Sequence, residues 1–302
     1  MKYNISKEFG ILRNYHATLN PVVLRLAKVF LSIFPKGIKS SKDLLFKNFK
    51  ITTRDNKKVK IYIFKPKNVQ GKLPVIFYFH GGAFAFKGAP YQYAYAKEYA
   101  RKTKSVVVFV DYRLSYCSPF NAPLNDCVDV YKYMLENADN FGINTDKIIV
   151  AGDSAGGFLS VMTVIKAKEL DLKLPKLQML LYPVLDCRCK TKSMETFTDT
   201  PFWDSKLNKK MWKIYLKGNS ITPPIEMESL AFMPTTYIET AEFDCLHDEA
   251  IEFYNKIKIT NPSSVLYETK QTMHGYDFFK KSKITQNALK NRIDFLNNIN
   301  LK

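Results

Sequence analysis

The stretch KIIVAGDSAGG at residues 147–157 decides the fold of this chain of 302 residues. An apolar run ends in Gly152, and Ser154 then stands between two glycines at the start of another apolar segment. A serine in the pattern Gly-x-Ser-x-Gly occupies a sharp turn from strand to helix, where flanking glycines let two backbones pass closely. The stretch therefore predicts a strand, a nucleophilic serine and a buried helix over residues 155–168, which are apolar on nearly every face.

A second glycine-containing loop precedes this turn in the sequence PVIFYFHGGAF at residues 74–84. Backbone N–H groups can point at a developing oxyanion only where side chains do not crowd the approach. We expect Gly81, Gly82 and Ala83 to form one side of an oxyanion hole, chiefly through the amides of the last two. The amide of Ala155, directly after the serine, forms the other side. The alternative interpretation is an ordinary glycine turn after a strand.

Histidine is rare in this chain, which contains four. In this type of site the serine nucleophile comes first in the chain, the aspartate or glutamate second and the histidine base last. The base must therefore be one of the two histidines that follow Ser154, namely His247 and His274. His274 is preferred because it lies on a glycine-containing loop just beyond a predicted strand. His247 stands among acidic residues at a predicted helix start, where a capping or solvated histidine is the preferred interpretation.

Two aspartates compete for the role of the acid. Asp244 follows the strand-like residues 236–241, at the position where the sheet should end. Asp248 begins a predicted helix, and a carboxylate at a helix N-terminus is favoured simply by the backbone dipole. We therefore assign Asp244 to orient His274.

With these residues placed, the chain resembles the hormone-sensitive-lipase-like branch of the α/β-hydrolases. The signatures are an HGGG-type loop, here HGGAF at residues 80–84, and a GDSAGG turn at residues 152–157. Further similarity lies in DYRL at 111–114, FNAPLND at 120–126, YPVLD at 182–186, DCLHDE at 244–249 and HGY at 274–276. The resemblance covers about residues 60–295. It implies a carboxylic-ester hydrolase with a triad of Ser154, Asp244 and His274.

Ala83 is the main departure from the family, which usually has a third glycine there. An alanine keeps its N–H, but its methyl group and restricted backbone are expected to narrow the accepted acyl or alcohol groups. Two other functions remain open from the sequence. One is a serine peptidase or amidase on the same fold, and the other is a non-catalytic ligand receptor that keeps a hydrolase pocket.

Strand-like and helical runs alternate along the chain, which predicts an α/β fold with a mostly parallel sheet and helices on both faces. The resemblance identifies this as the α/β-hydrolase fold with a helical cap. The predicted organisation comprises N-terminal cap helices (1–50), a first core part (51–186), a cap insertion (187–231) and a second core part (232–302). Four aromatic residues are predicted to line the substrate pocket: Phe84, Phe202, Trp203 and Trp212. Their alternative role is the core of a small helical subdomain.

The apolar run at residues 21–34 is too short to span a membrane. Arg25, Lys28 and Ser32 fall on one face of a predicted helix. A cap helix is the preferred interpretation, and weak contact of this run with a membrane surface is the alternative. A homodimer is left open. The formal net charge of +18 comes mostly from scattered lysines, so no specific nucleic-acid partner is expected.

Five cysteines make an odd number, which indicates a reduced cytoplasmic protein. The spacing of Cys187 and Cys189 is too short for a zinc knuckle, so no metal is expected. No dinucleotide or phosphate fingerprint is present, and no cofactor is expected. The expected partner is therefore a small-molecule ester.

Overall fold

A single mixed β-sheet forms the centre of the structure, a computed structural model that describes residues 2–300. Within that range eight strands lie in the order β1-β2-β4-β3-β5-β6-β7-β8. Their bounds are β1 Leu44–Thr52, β2 Lys58–Pro66, β3 Leu73–Phe79, β4 Val106–Asp111, β5 Ile143–Asp153, β6 Leu177–Leu181, β7 Thr235–Phe243 and β8 Val265–Met273. The strands β1, β2 and β4 pair antiparallel, and the pairs from β4 to β8 are parallel. The predicted α/β-hydrolase sheet is confirmed.

Helices cover both faces of this sheet. In chain order they are α1 Pro21–Ile33, α2 Pro90–Thr103, α3 Ala122–Glu136, α4 Ala138–Phe141, α5 Ala155–Glu169, α6 Lys192–Thr196, α7 Ser205–Leu216, α8 His247–Thr260 and α9 Lys283–Asn297. Helices α3, α5 and α8 pack on one face, and α2 and α9 pack on the other. No helix within residues 2–300 is long and apolar enough to cross a membrane.

Strand β3 shows why the central strands are apolar without interruption. All seven of its residues are buried. Phe77 and Phe79 belong to the core beneath α3 and α5, whereas Ile76 and Tyr78 belong to the core beneath α2 and α9. A parallel strand with helices on both faces has no solvent side, so both sets of alternating side chains must be apolar.

The prediction that residues 1–50 form helices is wrong for their last part, because β1 begins at Leu44. This strand lies at the edge of the sheet, and Lys47, Asn48 and Lys50 are exposed on it. An edge strand has one neighbour and tolerates lysines that interrupt the apolar alternation. That interruption hid the strand from a periodicity argument.

The cap insertion predicted at residues 187–231 contains α6 and α7. The N-terminal segment pairs with it as a short parallel bridge between His16 and Phe202. The Ala17 N–H donates to the Phe202 carbonyl at 3.0 Å, and the Phe202 N–H donates to the Tyr15 carbonyl at 2.5 Å. The two regions outside the strand-helix alternation therefore contact each other directly.

Candidate active site

Ser154 forms the turn between β5 and α5, with φ at 53° and ψ at −120°. Few residues other than glycine adopt a positive φ, and the surrounding structure must hold such a conformation in place. The Ser154 N–H donates to the Leu181 carbonyl at 2.8 Å, and the Ser154 carbonyl accepts from the Val184 N–H at 3.1 Å. These backbone hydrogen bonds hold the turn that the sequence predicted.

Glycine is required on both sides of this turn because three backbone segments meet there. A Cβ on Gly156 would overlap the Phe79 carbonyl oxygen, and a Cβ on Gly152 would overlap the Gly156 carbonyl oxygen. No rotation of a side chain could relieve either overlap, since the opposing atoms are backbone. The close approach brings the end of β3, which leads into the glycine loop, against the first turn of α5.

The structure brings the three predicted triad residues into one hydrogen-bonded chain. His274 Nε2 lies 2.9 Å from Ser154 Oγ, and His274 Nδ1 lies 2.6 Å from Asp244 Oδ2. All three side chains are buried, with Ser154 the most exposed at 7%. The second Asp244 oxygen accepts the Leu246 N–H at 3.0 Å, which fixes the rotation of the carboxylate.

The three residues meet because each follows the carboxyl end of a parallel strand. Ser154 follows β5, Asp244 follows β7, and His274 follows β8. In an open parallel sheet these ends share one edge, which is where such sheets place their sites. The Tyr182 and Trp203 rings pack against the imidazole of His274, with centroids 4.9 and 6.1 Å away.

The competing residues His247 and Asp248 have other partners. His247 lies between the Asp248 and Glu268 carboxylates, at 2.9 and 2.8 Å from its two ring nitrogens. Asp248 also accepts the Ser193 N–H at 2.7 Å, at the start of α6. Within residues 2–300 neither side chain is hydrogen-bonded to Ser154 or His274. Asp248 therefore joins the cap to the core, and His247 joins α8 to β8.

The predicted oxyanion loop has a strained backbone. The φ angles are 118° at Gly82, 57° at Ala83 and 54° at Phe84. The N–H groups of Ala85 and Phe86 both donate to the Gly82 carbonyl, at 2.9 and 2.8 Å, which closes the loop. Among the described residues the amides of Gly82 and Ala83 have no hydrogen-bond acceptor. The amide of Ala155 starts α5, where the first N–H groups of a helix lack partners.

Gly81 differs from the other members of this loop, because it packs directly against the carboxylate of Asp153. Tyr78 Oη and Gln92 Nε2 donate to the same carboxylate at 2.8 and 2.7 Å. Burial raises the pKa of Asp153 to about 6. Sequence reasoning missed this role of Asp153, and its adjacency to Ser154 was the available signal.

His80 belongs to the packing of the loop. Its ring is stacked on Tyr112 at a centroid distance of 4.2 Å, and Nδ1 lies 2.8 Å from the Gly81 carbonyl. Burial lowers the pKa of His80 to about 4. The ring is therefore neutral near pH 7, and Nδ1–H donates to the Gly81 oxygen.

The four predicted pocket aromatics fall into two groups. Phe84 and Trp212 are buried in a cluster with Phe158 and Tyr215, with ring centroids 4.3 to 6.0 Å apart. Trp203 packs on His274, and the ring of Phe202 lies so close to Gly275 that a Cβ there would stand 2.7 Å from it. Phe84 and Trp212 therefore pack behind the glycine loop. Phe202 and Trp203 cover the loop of His274 and Gly275, called the histidine loop below.

No group of three or more His, Cys, Asp or Glu side chains in residues 2–300 is placed to hold a metal ion. Burial raises the pKa of the Cys189 thiol to about 12, so this thiol stays protonated near pH 7. Metal ligation needs the thiolate.

Comparison with known proteins bears on the same residues. The family described as alpha/beta hydrolase fold, of the hormone-sensitive-lipase-like type, matches residues 76–278. This chain belongs to it. The matched range contains the glycine loop, the serine turn and the loop of His274, so the resemblance expected from the motifs is confirmed.

Curated relatives and a solved structure extend this result. Carboxylesterase NlhH of Mycobacterium tuberculosis is 27% identical over 72% of this chain and 71% of its own length. Versiconal hemiacetal acetate esterase of Dothistroma septosporum is 32% identical over 67% of this chain and 66% of its own length. The solved bacterial heroin esterase superposes with a TM-score of 0.85 at 26% identity, covering 99% of each chain. The match covers 61% of the length of a putative alpha/beta hydrolase of Acanthamoeba polyphaga mimivirus, which is 29% identical over 67% of this chain.

Proposed function

We propose that this protein is a serine carboxylic-ester hydrolase that acts through an acyl-enzyme on small to medium acyl esters. One observation carries the proposal. His274 Nε2 lies 2.9 Å from Ser154 Oγ while its other nitrogen lies 2.6 Å from Asp244. This is the arrangement that lets an imidazole remove the hydroxyl proton as the oxygen attacks a carbonyl carbon.

The proposed reaction has two stages, acylation of Ser154 and hydrolysis of the acyl-enzyme. In the first, Ser154 Oγ bonds to the carbonyl carbon and its proton moves to Nε2 of His274, which then protonates the departing alcohol. In the second, water attacks the acyl carbon, His274 takes its proton and returns it to Ser154, and a carboxylic acid leaves. Asp244 holds the imidazole in the required tautomer and stabilises the imidazolium in both stages.

The amides of Gly82, Ala83 and Ala155 are the proposed oxyanion donors. The amides of Gly82 and Ala83 have no hydrogen-bond acceptor among the described residues, and the loop that closes on the Gly82 carbonyl holds them in place before substrate arrives. Donors that need no reorganisation during the reaction give the largest share of such catalysis. Gly81 instead packs against Asp153 and so holds the loop to the serine turn.

Substrate size is proposed to be limited by the cap. Ser154 and His274 are nearly buried, and Phe202 and Trp203 pack beside them. A covered site excludes bulk water from the acyl-enzyme but leaves little room for a long chain. Hydrolysis of p-nitrophenyl esters from acetate to laurate should therefore peak at short chains, and activity that rises steadily with length would contradict a closed cap.

Ester chemistry is favoured over the peptidase or amidase alternative because several relatives that match this chain are named esterases. Comparing turnover of a p-nitrophenyl ester with that of an aminoacyl anilide separates the two. A cytoplasmic location remains a prediction from the odd number of cysteines.

The decisive variant is Ser154→Ala, with Ser160→Ala as its matched control. Ser160 lies on α5, the helix that follows Ser154, and its buried hydroxyl has no hydrogen-bond partner among the described residues. Ser154→Ala should lose at least about a thousandfold in turnover and all labelling by a fluorophosphonate, because it lacks the nucleophile. Ser160→Ala should keep both. Labelling of Ser154→Ala at the wild-type level would overturn the proposal.

A further inference from the structure

Helix α1 turns most of its apolar side chains toward solvent. Five of them, spaced as one face of a helix, are between 56% and 70% exposed: Val22, Leu26, Val29, Phe30 and Ile33. Within α1 only Leu24 is buried. A surface helix of a folded domain ordinarily directs its apolar stripe at the core. The apolar face of α1, defined by these five residues, has no packing partner among residues 2–300.

A basic groove runs along the flank of this helix. A cavity of about 730 Å³ is lined by Arg25, Lys28, Val29, Ser32, Ile33, Lys36, Tyr116 and Cys117. No acidic side chain lines it. The surrounding sequence has the same bias, because residues 9–42 contain no Asp or Glu but six basic residues: Arg13, Arg25, Lys28, Lys36, Lys39 and Lys42.

We propose that α1 docks on a membrane surface that contains anionic phospholipids, with its apolar face in the interface and its basic groove against the headgroups. Apolar residues on one face with lysine and arginine beside them are what an interfacial helix requires. Charge complementarity selects this occupant over a second copy of the chain. A symmetric pairing through α1 would bring two acid-free basic grooves near each other, and like charges at an interface oppose association.

The docking surface is joined to the candidate active site on two sides. Tyr15 and Ala17, just before α1, are hydrogen-bonded to Phe202, whose ring packs on Gly275 beside His274. On the other side Lys28 Nζ lies 3.5 Å from Cys117 Sγ. The turn that contains Cys117 is hydrogen-bonded to the glycine loop.

The hydrogen bond between this turn and the glycine loop runs from the Ser115 N–H to the Phe84 carbonyl at 2.8 Å. A docked α1 therefore places the cap near the lipid, where apolar esters accumulate. This consequence for the substrate rests on the proposed ester hydrolysis, whereas the binding itself does not.

Vesicle flotation of the full chain tests the proposal, with phosphatidylcholine vesicles compared with vesicles that also contain phosphatidylglycerol. The wild type and Ser154→Ala should both float with the anionic vesicles and should be released by added salt, since the charge contribution is screened. Using Ser154→Ala separates lipid binding from any failure of the proposed hydrolysis. Absence of binding to anionic vesicles would overturn the proposal.

The double variant Leu26→Ser with Phe30→Ser should lose about tenfold or more in vesicle affinity, because two exposed apolar side chains no longer enter the interface. Its matched control is Ile259→Ser, an equally apolar residue that is 80% exposed on α8. The control should bind like the wild type. Equal losses in the two would show that the apolar face of α1 has no special role.

Reversing charges in the basic groove tests whether the groove binds anionic headgroups. Arg25→Glu with Lys36→Glu should lose binding to anionic vesicles, whereas Lys168→Glu, at an exposed position near the end of α5, should keep it. The surface variants at Leu26 and Phe30, at Ile259, at Arg25 and Lys36, and at Lys168 should all hydrolyse a short soluble ester at the wild-type rate. If the wild type is instead a dimer that Leu26→Ser with Phe30→Ser dissociates, and neither binds lipid, the occupant is a second copy and the proposal is wrong.

Discussion

Asp153 packs against Gly81 so closely that a Cβ on Gly81 would overlap the aspartate carboxylate. The contact joins the serine turn, which follows Asp153, to the loop that carries the proposed oxyanion donors. Tyr78 Oη and Gln92 Nε2 both donate to this one carboxylate. Nucleophile and donors are thereby held in a fixed relation before substrate binds.

Asp153→Asn is predicted to lower kcat by about tenfold to a hundredfold, because displaced oxyanion donors lose their alignment with the transition state. In the asparagine variant an amide nitrogen replaces one carboxylate oxygen. This nitrogen cannot accept a hydrogen bond from the donor that faces it. KM should change little, since the substrate pocket is intact. Steady-state kinetics on p-nitrophenyl acetate check this, with Asp146→Asn at an exposed surface position as the control. Wild-type kcat in Asp153→Asn would contradict a positioning role.

Gly82→Ala and Ala83→Gly are predicted to have opposite outcomes. Gly82 has φ at 118°, and a Cβ there would stand 3.0 Å from both the Cβ and the carbonyl oxygen of Phe86. The alanine should distort the loop and lower kcat by about a hundredfold. Ala83→Gly removes a methyl group at φ 57° and should keep activity while accepting bulkier alcohol groups. Full activity in Gly82→Ala would refute this account of the loop.

The sequence predicted the fold well where one physical signal dominated. Continuous apolar runs located β3 and β5 because both faces of a central strand are buried. It failed at β1, since an edge strand with exposed Lys47 and Lys50 has no such run. Cap contacts such as Tyr15 with Phe202 join segments almost two hundred residues apart, and no local pattern encodes them.

Within the site, chain order and strand ends were enough to select Asp244 and His274, because parallel strands deliver their carboxyl ends to one edge. What surrounds these residues was not predicted. Arg292 is an example, because it stands in a helix whose sequence KNRIDFLN at residues 290–297 has the polar pattern of a surface helix. Its burial is a tertiary effect and is visible only once Glu239 is placed beside it.

Asp244→Asn and Asp248→Asn test the assignment of the acid. Asp244→Asn should reduce kcat by about a thousandfold or more, because the amide cannot hold His274 in the required tautomer. Asp248→Asn removes the negative charge that faces the Ser193 N–H and is expected to affect the cap more than the chemistry. Kinetics and fluorophosphonate labelling distinguish them. A larger loss in Asp248→Asn than in Asp244→Asn would reverse the assignment.

His80 is predicted to make stability depend on pH below neutrality. Burial lowers its pKa from 6.5 to about 4, so between these values the unfolded chain takes up a proton that the folded protein excludes. The free energy of unfolding should therefore fall as pH decreases from about 6.5 to about 4, by about 3 kcal/mol from this group. His80→Phe, which keeps an aromatic ring against Tyr112, should flatten this part of the profile.

Urea unfolding at several pH values measures the difference between the two proteins. His16→Phe, a substitution at an exposed position, serves as the control. Its free energy of unfolding should depend on pH as that of the wild type does. Parallel profiles for the wild type and His80→Phe would show that His80 does not carry this dependence.

Arg292 is predicted to be the residue on which the histidine loop depends for its stability. It is fully buried and donates through Nε and Nη2 to Glu239 and through Nη1 to Asp277, at 2.7 Å for the last. Asp277, three residues after His274, also accepts from Tyr182 Oη at 2.6 Å. Removing one partner from a buried ion pair leaves uncompensated charge and costs about 3–5 kcal/mol.

Arg292→Met should therefore lower the free energy of unfolding by that amount, whereas Lys72→Met, which breaks the exposed pair with Asp139, should cost at most about 1 kcal/mol. Should Arg292→Met fail to fold, Arg292→Lys provides the second measurement. A lysine is one point charge and cannot serve two carboxylates with a planar fork, so this variant should fold with a lower kcat for the ester. Adding Glu239→Gln to Arg292→Met should restore part of the lost stability, because one buried charge is removed. Equal stability of Arg292→Met and the wild type would show that packing, and not the ion pairs, holds this loop.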